Sequence, residues 1–184
     1  MAIIGISGHA QSGKDKTASI IQEFCPKQYW VVQKFATPLK TVAAYLTGFP
    51  VDAFEDNDFK CKRLGEEWGC ITVREFLQKL GTDAVRNNLH KNTWVNQVMS
   101  TYESYLNHPN WIITDVRFPN EADAILKNDG FIIRLNRQVG EVMPHESETA
   151  LDHYQNFKYV IDNNGSLDFL KDYIRNILKS EKLL

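Results

Sequence analysis

Three cysteines, six prolines and ten glycines among 184 residues are low counts, and they exclude several classes of protein. Glycine and proline are too rare for a collagen-like or low-complexity chain. Cys25, Cys61 and Cys70 are an odd number at unrelated spacings, so they predict neither a disulfide framework nor a zinc site. This use of cysteine is typical of a reducing compartment, and we expect a cytoplasmic protein.

Long apolar runs and an excess of one charge sign are also lacking. No apolar stretch approaches the roughly 18 residues of a membrane span. Residues 1–5 carry no basic region ahead of the first apolar run, so we expect no signal peptide. Lys plus Arg number 21 and Asp plus Glu number 23, and this balance argues against binding nucleic acid by bulk charge. We expect small-molecule substrates as partners, neither nucleic acid nor membrane, and leave a homodimer open.

Short apolar strands alternate with helical patterns along the chain. Strands are predicted at residues 2–7, 30–35, 111–115, 131–135 and 159–161, with helices after Gly13, Leu39, Pro119 and Ser166. Residues 51–69 crowd charged side chains and are interpreted as solvated surface or a mobile insertion. Helical periodicity returns in residues 73–80 and 95–102. The alternation predicts the α/β class, with a five-stranded, mainly parallel sheet flanked by helices.

Residues 8–15 follow the first predicted strand and open the first predicted helix. They fit the phosphate-loop (P-loop, or Walker A) pattern G-x-x-x-x-G-K-[ST] except at the last position, where Asp15 replaces Ser or Thr. Glycines let successive backbone N–H groups face inward, the helix N-terminus adds positive potential, and Lys14 supplies a charge for the phosphates. The pattern predicts an ATP site formed by Gly8, Ala10, Gln11, Ser12, Gly13, Lys14, Asp15 and Lys16.

Two aspartates are candidates for orienting Mg²⁺. Asp115 ends the strongest apolar strand, where a phosphate-loop protein places its magnesium-orienting acidic residue. Asp15 would act through a bound water, because Mg²⁺ keeps several waters. Thr17 lies two residues after Asp15 and about 200° around the helix from it, so its hydroxyl is a poor replacement for the missing one. We therefore predict catalytic roles for Lys14, Asp15 and Asp115, and a phosphate contact for Arg117. The alternatives are that Asp115 only caps a helix and that Arg117 only forms a surface salt bridge.

Five short segments occur in an order that points to one family. They are residues 12–15 (SGKD), 35–40 (FATPLK), 77–83 (LQKLGTD), 114–121 (TDVRFPNE) and 145–148 (HESE). Together they resemble the deoxynucleoside monophosphate kinases of tailed bacteriophages, within the phosphate-loop nucleoside monophosphate kinase group. The resemblance covers nearly the whole chain. It implies the P-loop NTPase fold, ATP and Mg²⁺ as cofactors, and transfer of the ATP γ-phosphate to a deoxynucleoside 5′-monophosphate (dNMP), in the host cytoplasm if a phage encodes the chain. Two positions depart from the family pattern: Lys16 stands where Thr is common, and Thr37 where Asp is common.

The resemblance also implies how the chain is organised. We expect a single kinase domain over residues 1–184, with a core at 1–48 and 107–184, an acceptor-binding helical insertion at 49–106 and a lid loop at 136–150. Arginine suits a monophosphate because its fork can grip two oxygens. The predicted dNMP-binding residues are Lys40, Arg74, Gln78, Arg86, Trp94 and Arg117.

The remaining expectations concern the lid and the last strand. Arg137 in the lid is predicted to meet the transferring phosphate. Arg134, at the exit of the fourth strand, is predicted to contact ATP, with an ion pair to an acidic neighbour as the alternative. Asn163 follows the last strand and is predicted to contact ATP as well, with a plain turn as the alternative. Residues 147 and 148 are interpreted as the start of a helix. For Gln78 and Trp94, a solvent-facing and a core position respectively are the alternatives.

Two other functions compete with the kinase hypothesis. One is a P-loop ATPase without a small acceptor, although no second acidic residue directly follows Asp115. The other is a kinase of another small phosphorylated metabolite. The histidines show no metal-ligand spacing, and no Ser/His/Asp grouping is evident, so a hydrolase or metal centre is disfavoured.

Overall fold

The computed structural model describes residues 2–103, 109–138 and 145–184. Its five strands are β1 (Ile3–Ser7), β2 (Trp30–Gln33), β3 (Asn110–Val116), β4 (Phe131–Asn136) and β5 (Tyr159–Asp162). The α-helices are α1 (Lys14–Phe24), α2 (Thr37–Thr47), α3 (Asn57–Cys61), α4 (Val73–Gln78), α5 (Thr93–Glu103), α6 (Pro119–Lys127), α7 (Glu146–Thr149) and α8 (Leu167–Ser180). The chain divides into two compact units, Met1–Lys34 with Tyr102–Leu184, and Phe35–Thr101.

The first unit carries the sheet, whose strand order is β2-β3-β1-β4-β5. All four strand pairings are parallel, and Ile4 of β1 lies between Ile112 of β3 and Phe131 of β4. Each residue of β1 is buried, as expected for a central strand covered on both faces. The structure confirms the predicted α/β class and the P-loop NTPase fold, with a five-stranded parallel sheet flanked by helices.

Two helices of the first unit share one apolar cluster with the sheet. Ile20 and Ile21 of α1 and Ile174 and Leu178 of α8 are fully buried in it. The Ser166 hydroxyl accepts a hydrogen bond from the Phe169 backbone N–H at 3.2 Å, which caps α8 as predicted. Among the described residues, no helix is both long and apolar enough to cross a membrane.

The second unit is helical and has a core of its own. Besides α2 to α4 and most of α5, it contains 3₁₀ segments at Val51–Glu55 and Glu66–Trp68 and a π-helical segment at Lys79–Asn87. Phe54 is fully buried against Ala43, Val73 and Phe76, and Leu64 is 6% exposed. The expectation of a solvated surface for residues 51–69 is therefore wrong for these two apolar residues, although the acidic side chains between them are exposed.

Candidate functional site

The loop between β1 and α1 closes so tightly that two of its positions exclude a side chain. Gly13 caps the N-terminus of α1 in a left-handed conformation, with φ 100° and ψ 17°. A Cβ atom at Gly13 would lie 2.7 Å from Asn163 Nδ2, and one at Gly8 would lie 2.7 Å from the Leu135 carbonyl oxygen and also strike the Ser12 hydroxyl. The glycines of the pattern are therefore required by the shape of the loop.

Asn163 holds the loop from the side of β5. Its Nδ2 donates to the Ser12 carbonyl oxygen at 2.8 Å, and its backbone N–H donates to the Asn136 carbonyl at 2.7 Å. Asn163 is 8% exposed, so this bond is shielded from water. Its predicted contact with ATP stays a prediction; what the structure shows is support of the loop backbone.

Lys14 folds back over the loop that precedes it. Its Nζ donates to the carbonyl oxygens of Gly8 and His9, each at 2.7 Å. Desolvation by burial lowers the pKa of Lys14 to about 8, and the positive charge of Arg117 adds to that effect, whereas the carboxylates of Glu148, Asp15 and Asp115 oppose it. Lys14 is thus a half-buried lysine whose pKa is lowered mainly by desolvation.

Asp115 lies at the carboxyl end of β3, next to β1 in the sheet. The pairing of Ser7 with Val116 brings the end of β3 beside the start of the loop. The carboxylate of Asp115 is among those that act on Lys14. Asp15 is placed differently, because its side chain is 80% exposed and its Oδ1 lies 3.8 Å from Lys34 Nζ.

The oxygen atoms around the loop fit a magnesium ion. The buried hydroxyls of Ser12, Thr17 and Thr114 have no hydrogen-bond partner among the described residues. Carboxylate and hydroxyl oxygens are the donors that Mg²⁺ prefers. In the part of the chain that the structure describes, no three His, Cys, Asp or Glu side chains gather into a group that could hold a metal ion by itself.

Arg117 and Glu148 form an ion pair at the edge of the loop. Arg117 Nη1 contacts Glu148 Oε1 and lies 3.4 Å from the Ser147 carbonyl oxygen. The second carboxylate oxygen of Glu148 accepts a hydrogen bond from the Ala10 backbone N–H at 3.3 Å. Buried Glu121 accepts from the backbone N–H groups of Arg117 and Phe118 and so fixes the start of α6. Glu148 lies in α7, which confirms the predicted helix at residues 147 and 148, whereas its contacts with the loop and with Arg117 were not predicted.

Arg134 lies in a buried polar network beside the loop. Its guanidinium donates to Ser7 Oγ at 3.1 Å and to Asp152 Oδ1 at 2.8 Å. The same Asp152 oxygen lies 3.3 Å from His9 Nε2, so this network also reaches the loop. Arg137 is exposed, and its Nη1 lies 3.4 Å from the Gln11 carbonyl oxygen. The predicted ATP contacts of both arginines stay predictions, and residues 139–144 of the expected lid lie outside the described residues.

Comparisons with known proteins decide the family. A family model described as deoxynucleotide monophosphate kinase matches residues 47–174, more than half of the chain. The chain belongs to this family. A protein of Acanthamoeba polyphaga mimivirus named as a putative deoxynucleotide monophosphate kinase is 28% identical over 179 residues, which cover 91% of each chain. The deoxynucleotide monophosphate kinase of enterobacteria phage T4 is 31% identical over 117 residues, which cover 62% of this chain and 47% of the phage protein.

Solved structures resemble the chain more weakly. A gluconokinase from Sinorhizobium meliloti aligns over 98% of this chain and 95% of its own, with 11% identity and a TM-score of 0.49. A thymidylate kinase from Candida albicans covers 99% and 92%, with 13% identity and a TM-score of 0.45. Both values are too low to carry an argument. Family membership confirms the prediction of an ATP-dependent phosphotransferase that acts on deoxynucleoside monophosphates.

The residues predicted to bind the acceptor of this deoxynucleotide monophosphate kinase lie in the second unit, apart from Arg117. Lys40 is 7% exposed, and its Nζ lies 2.5 Å from Glu55 Oε1. Arg86 is 8% exposed and donates from Nη1 to the Lys91 carbonyl at 3.2 Å, near the end of the π-helical segment. Trp94 is buried, and its Nε1–H donates to the Gly81 carbonyl at 3.0 Å. Arg74 and Gln78 are half-buried on α4. Their roles toward a dNMP stay predictions.

Proposed function

We propose that the loop of residues 8–15 binds the triphosphate of ATP and that Lys14 carries the transfer of its γ-phosphate to a dNMP. The observation that supports this most is the half-buried Lys14 ammonium, which donates to two carbonyl oxygens of the loop at the N-terminus of α1. Phosphoryl transfer needs the two substrates positioned and the charge of the moving group neutralised, and little covalent chemistry from the protein.

Lys14 and Arg117 are the cations proposed to neutralise that charge. Lys14 donates to the carbonyls of Gly8 and His9, and Arg117 pairs with Glu148, which accepts from the Ala10 N–H of the same loop. In the structure Lys14 donates to two loop carbonyls, and a bound phosphate would replace these acceptors with charged oxygens. Arg137, exposed beside Gln11, is proposed to add its charge from the lid, and Arg134 and Asn163 to support the ATP site.

Mg²⁺ is proposed as the cofactor of the reaction. Asp115, and Asp15 through a water, would hold the ion, as the buried hydroxyl and carboxylate oxygens near the loop suit it. When bound, the ion supplies positive charge to the phosphate oxygens. Asp115 would offer its carboxylate from the end of β3, where its negative charge also acts on Lys14.

The acceptor is proposed to bind residues of the second unit. Arg86 would grip the monophosphate through its fork, with Lys40 and Arg74 adding positive charge. Gln78 would bind a base edge through its donor and acceptor atoms, and Trp94 would contact the base. We also propose a cytoplasmic location, consistent with the free thiols of Cys25, Cys61 and Cys70.

The test is a coupled assay of ADP formation with each dNMP in turn. Lys14→Ala should lower kcat/KM by about 10²-fold or more, since a positioned donor to the reacting phosphate is lost. Lys27→Ala is the matched control, because Lys27 is an exposed lysine just past the end of α1. Turnover of Lys14→Ala within a few fold of wild type would remove the assignment of Lys14. ATP hydrolysis that no dNMP accelerates would favour the ATPase alternative.

A further inference from the structure

Glu148 makes the contacts that a bound phosphate would make. One carboxylate oxygen accepts from the Ala10 backbone N–H of the phosphate loop at 3.3 Å, and the other meets the Arg117 guanidinium. Its negative charge also acts on Lys14. A loop N–H, an arginine and the loop lysine are groups that bind phosphate oxygens in P-loop proteins.

The carboxylate is well enclosed at this position. The Glu148 side chain is 9% exposed, although α7 is only four residues long. Burying a charge is costly unless partners compensate it, and here Arg117 supplies the compensating charge. A surface ion pair would need only the arginine. The additional bond to Ala10 N–H places the carboxylate on the phosphate loop itself.

We propose that Glu148 is a positioning residue that holds Arg117 and the loop in the nucleotide-free enzyme and is displaced by the phosphates of ATP. This inference rests on the proposed function of the loop as the ATP site. Glu148 keeps two neighbouring cations, Lys14 and Arg117, together before the nucleotide arrives. When the phosphates take over these partners, Arg117 becomes available to the transferring group.

Removing the charge of Glu148 therefore relieves a competition with the nucleotide. Glu148→Gln keeps the size of the side chain and weakens its hold on Arg117. ATP and inorganic tripolyphosphate should each bind roughly 5- to 50-fold more tightly, the range usual for coupling between two binding events. The KM for ATP should fall accordingly. Glu146→Gln is the matched control, since Glu146 is an exposed glutamate on the same short helix.

Isothermal titration calorimetry with ATP and with tripolyphosphate, on wild type and both variants, tests the inference. Tighter binding of both probes to Glu148→Gln alone would support it. Unchanged or weaker binding by a Glu148→Gln protein that melts cooperatively would overturn it, because a carboxylate that the phosphates must displace weakens their binding as long as it is present. If wild type binds neither probe, the proposed ATP site fails instead. A Glu148→Ala protein provides a second measurement, with the same direction expected.

Discussion

Replacing Gly13 by alanine tests whether the shape of the phosphate loop depends on the close packing of Gly13 against Asn163. Gly13 has φ 100°, and its missing Cβ would lie 2.7 Å from Asn163 Nδ2. Asn163 cannot simply turn away, because the same nitrogen donates to the Ser12 carbonyl at 2.8 Å. The substitution therefore carries two penalties, one in the backbone and one in this hydrogen bond.

The two penalties can be sized separately. A left-handed conformation costs an L-residue about 1–2 kcal/mol. Losing the Asn163 bond costs about 0.5–1.5 kcal/mol more. Gly48→Ala isolates the first penalty, since Gly48 has φ 76° and nothing lies within 4 Å of its Cβ position. We expect Gly13→Ala to lower the free energy of unfolding by about 1.5–3.5 kcal/mol, and Gly48→Ala by about 1–2 kcal/mol.

Urea unfolding of four variants measures these two penalties. The variants are Gly13→Ala, Gly48→Ala, Asn163→Ala and the Gly13→Ala/Asn163→Ala double variant. In the double variant the alanine at position 13 should cost only the backbone penalty, because its steric partner is gone. Gly13→Ala should also lower kcat/KM for ATP by about 10²-fold through misplacement of the loop, and Gly48→Ala should not. Equal unfolding costs for the two single glycine variants, with ATP kinetics unchanged, would refute the reasoning.

Two further substitutions test the metal and acceptor assignments. Asp115→Asn should lower kcat and shift the Mg²⁺ titration to higher concentration. The control is Asp129→Asn, which should change neither because Asp129 is an exposed residue after α6. An unaltered Mg²⁺ titration of Asp115→Asn would mean that Asp115 has only a structural role. Arg86→Lys should raise KM for the dNMP and leave KM for ATP unchanged, because lysine lacks the two-pronged guanidinium. The rise in KM should correspond to a loss of binding free energy on the order of 1–3 kcal/mol. Equal effects on both substrates in steady-state kinetics would mean that this buried arginine shapes the fold.

Local patterns were enough to predict the sheet and the loop. Continuous apolar runs such as Trp111–Ile113 belong to strands buried on both faces, so each strand was visible in the sequence without its neighbours. The serine that caps α8 was predictable for the same reason, since its partner Phe169 is only three residues away. The phosphate loop is likewise a contiguous segment whose glycines meet a local geometric need.

Contacts between distant segments were not predictable in this way. Glu148 lies 31 residues from Arg117 and 138 residues from Ala10, so nothing in its own surroundings indicates either partner. Phe54 was missed for a different reason. Its neighbours in the sequence are exposed acidic residues, so the charged composition of the segment gave no indication that one apolar side chain packs into the core of the second unit.

Charge compensation accounts for the arrangement of acidic residues around the loop. Asp15 is exposed and lies beside Lys34, yet its carboxylate also acts on Lys14, as do those of Glu148 and Asp115. The cations Lys14 and Arg117 therefore already have negative charges close to them, that of Glu148 in direct contact with Arg117. A nucleotide that brings phosphates must therefore displace an anion or arrive with a cation. Glu148 lies on a four-residue helix, whereas Asp115 lies at the end of β3 inside the sheet, so we propose that the first carboxylate is displaced and that the second holds the ion. When ATP binds with magnesium, Glu148 is thus the carboxylate suited to be released, and Asp115 is the carboxylate suited to retain the ion.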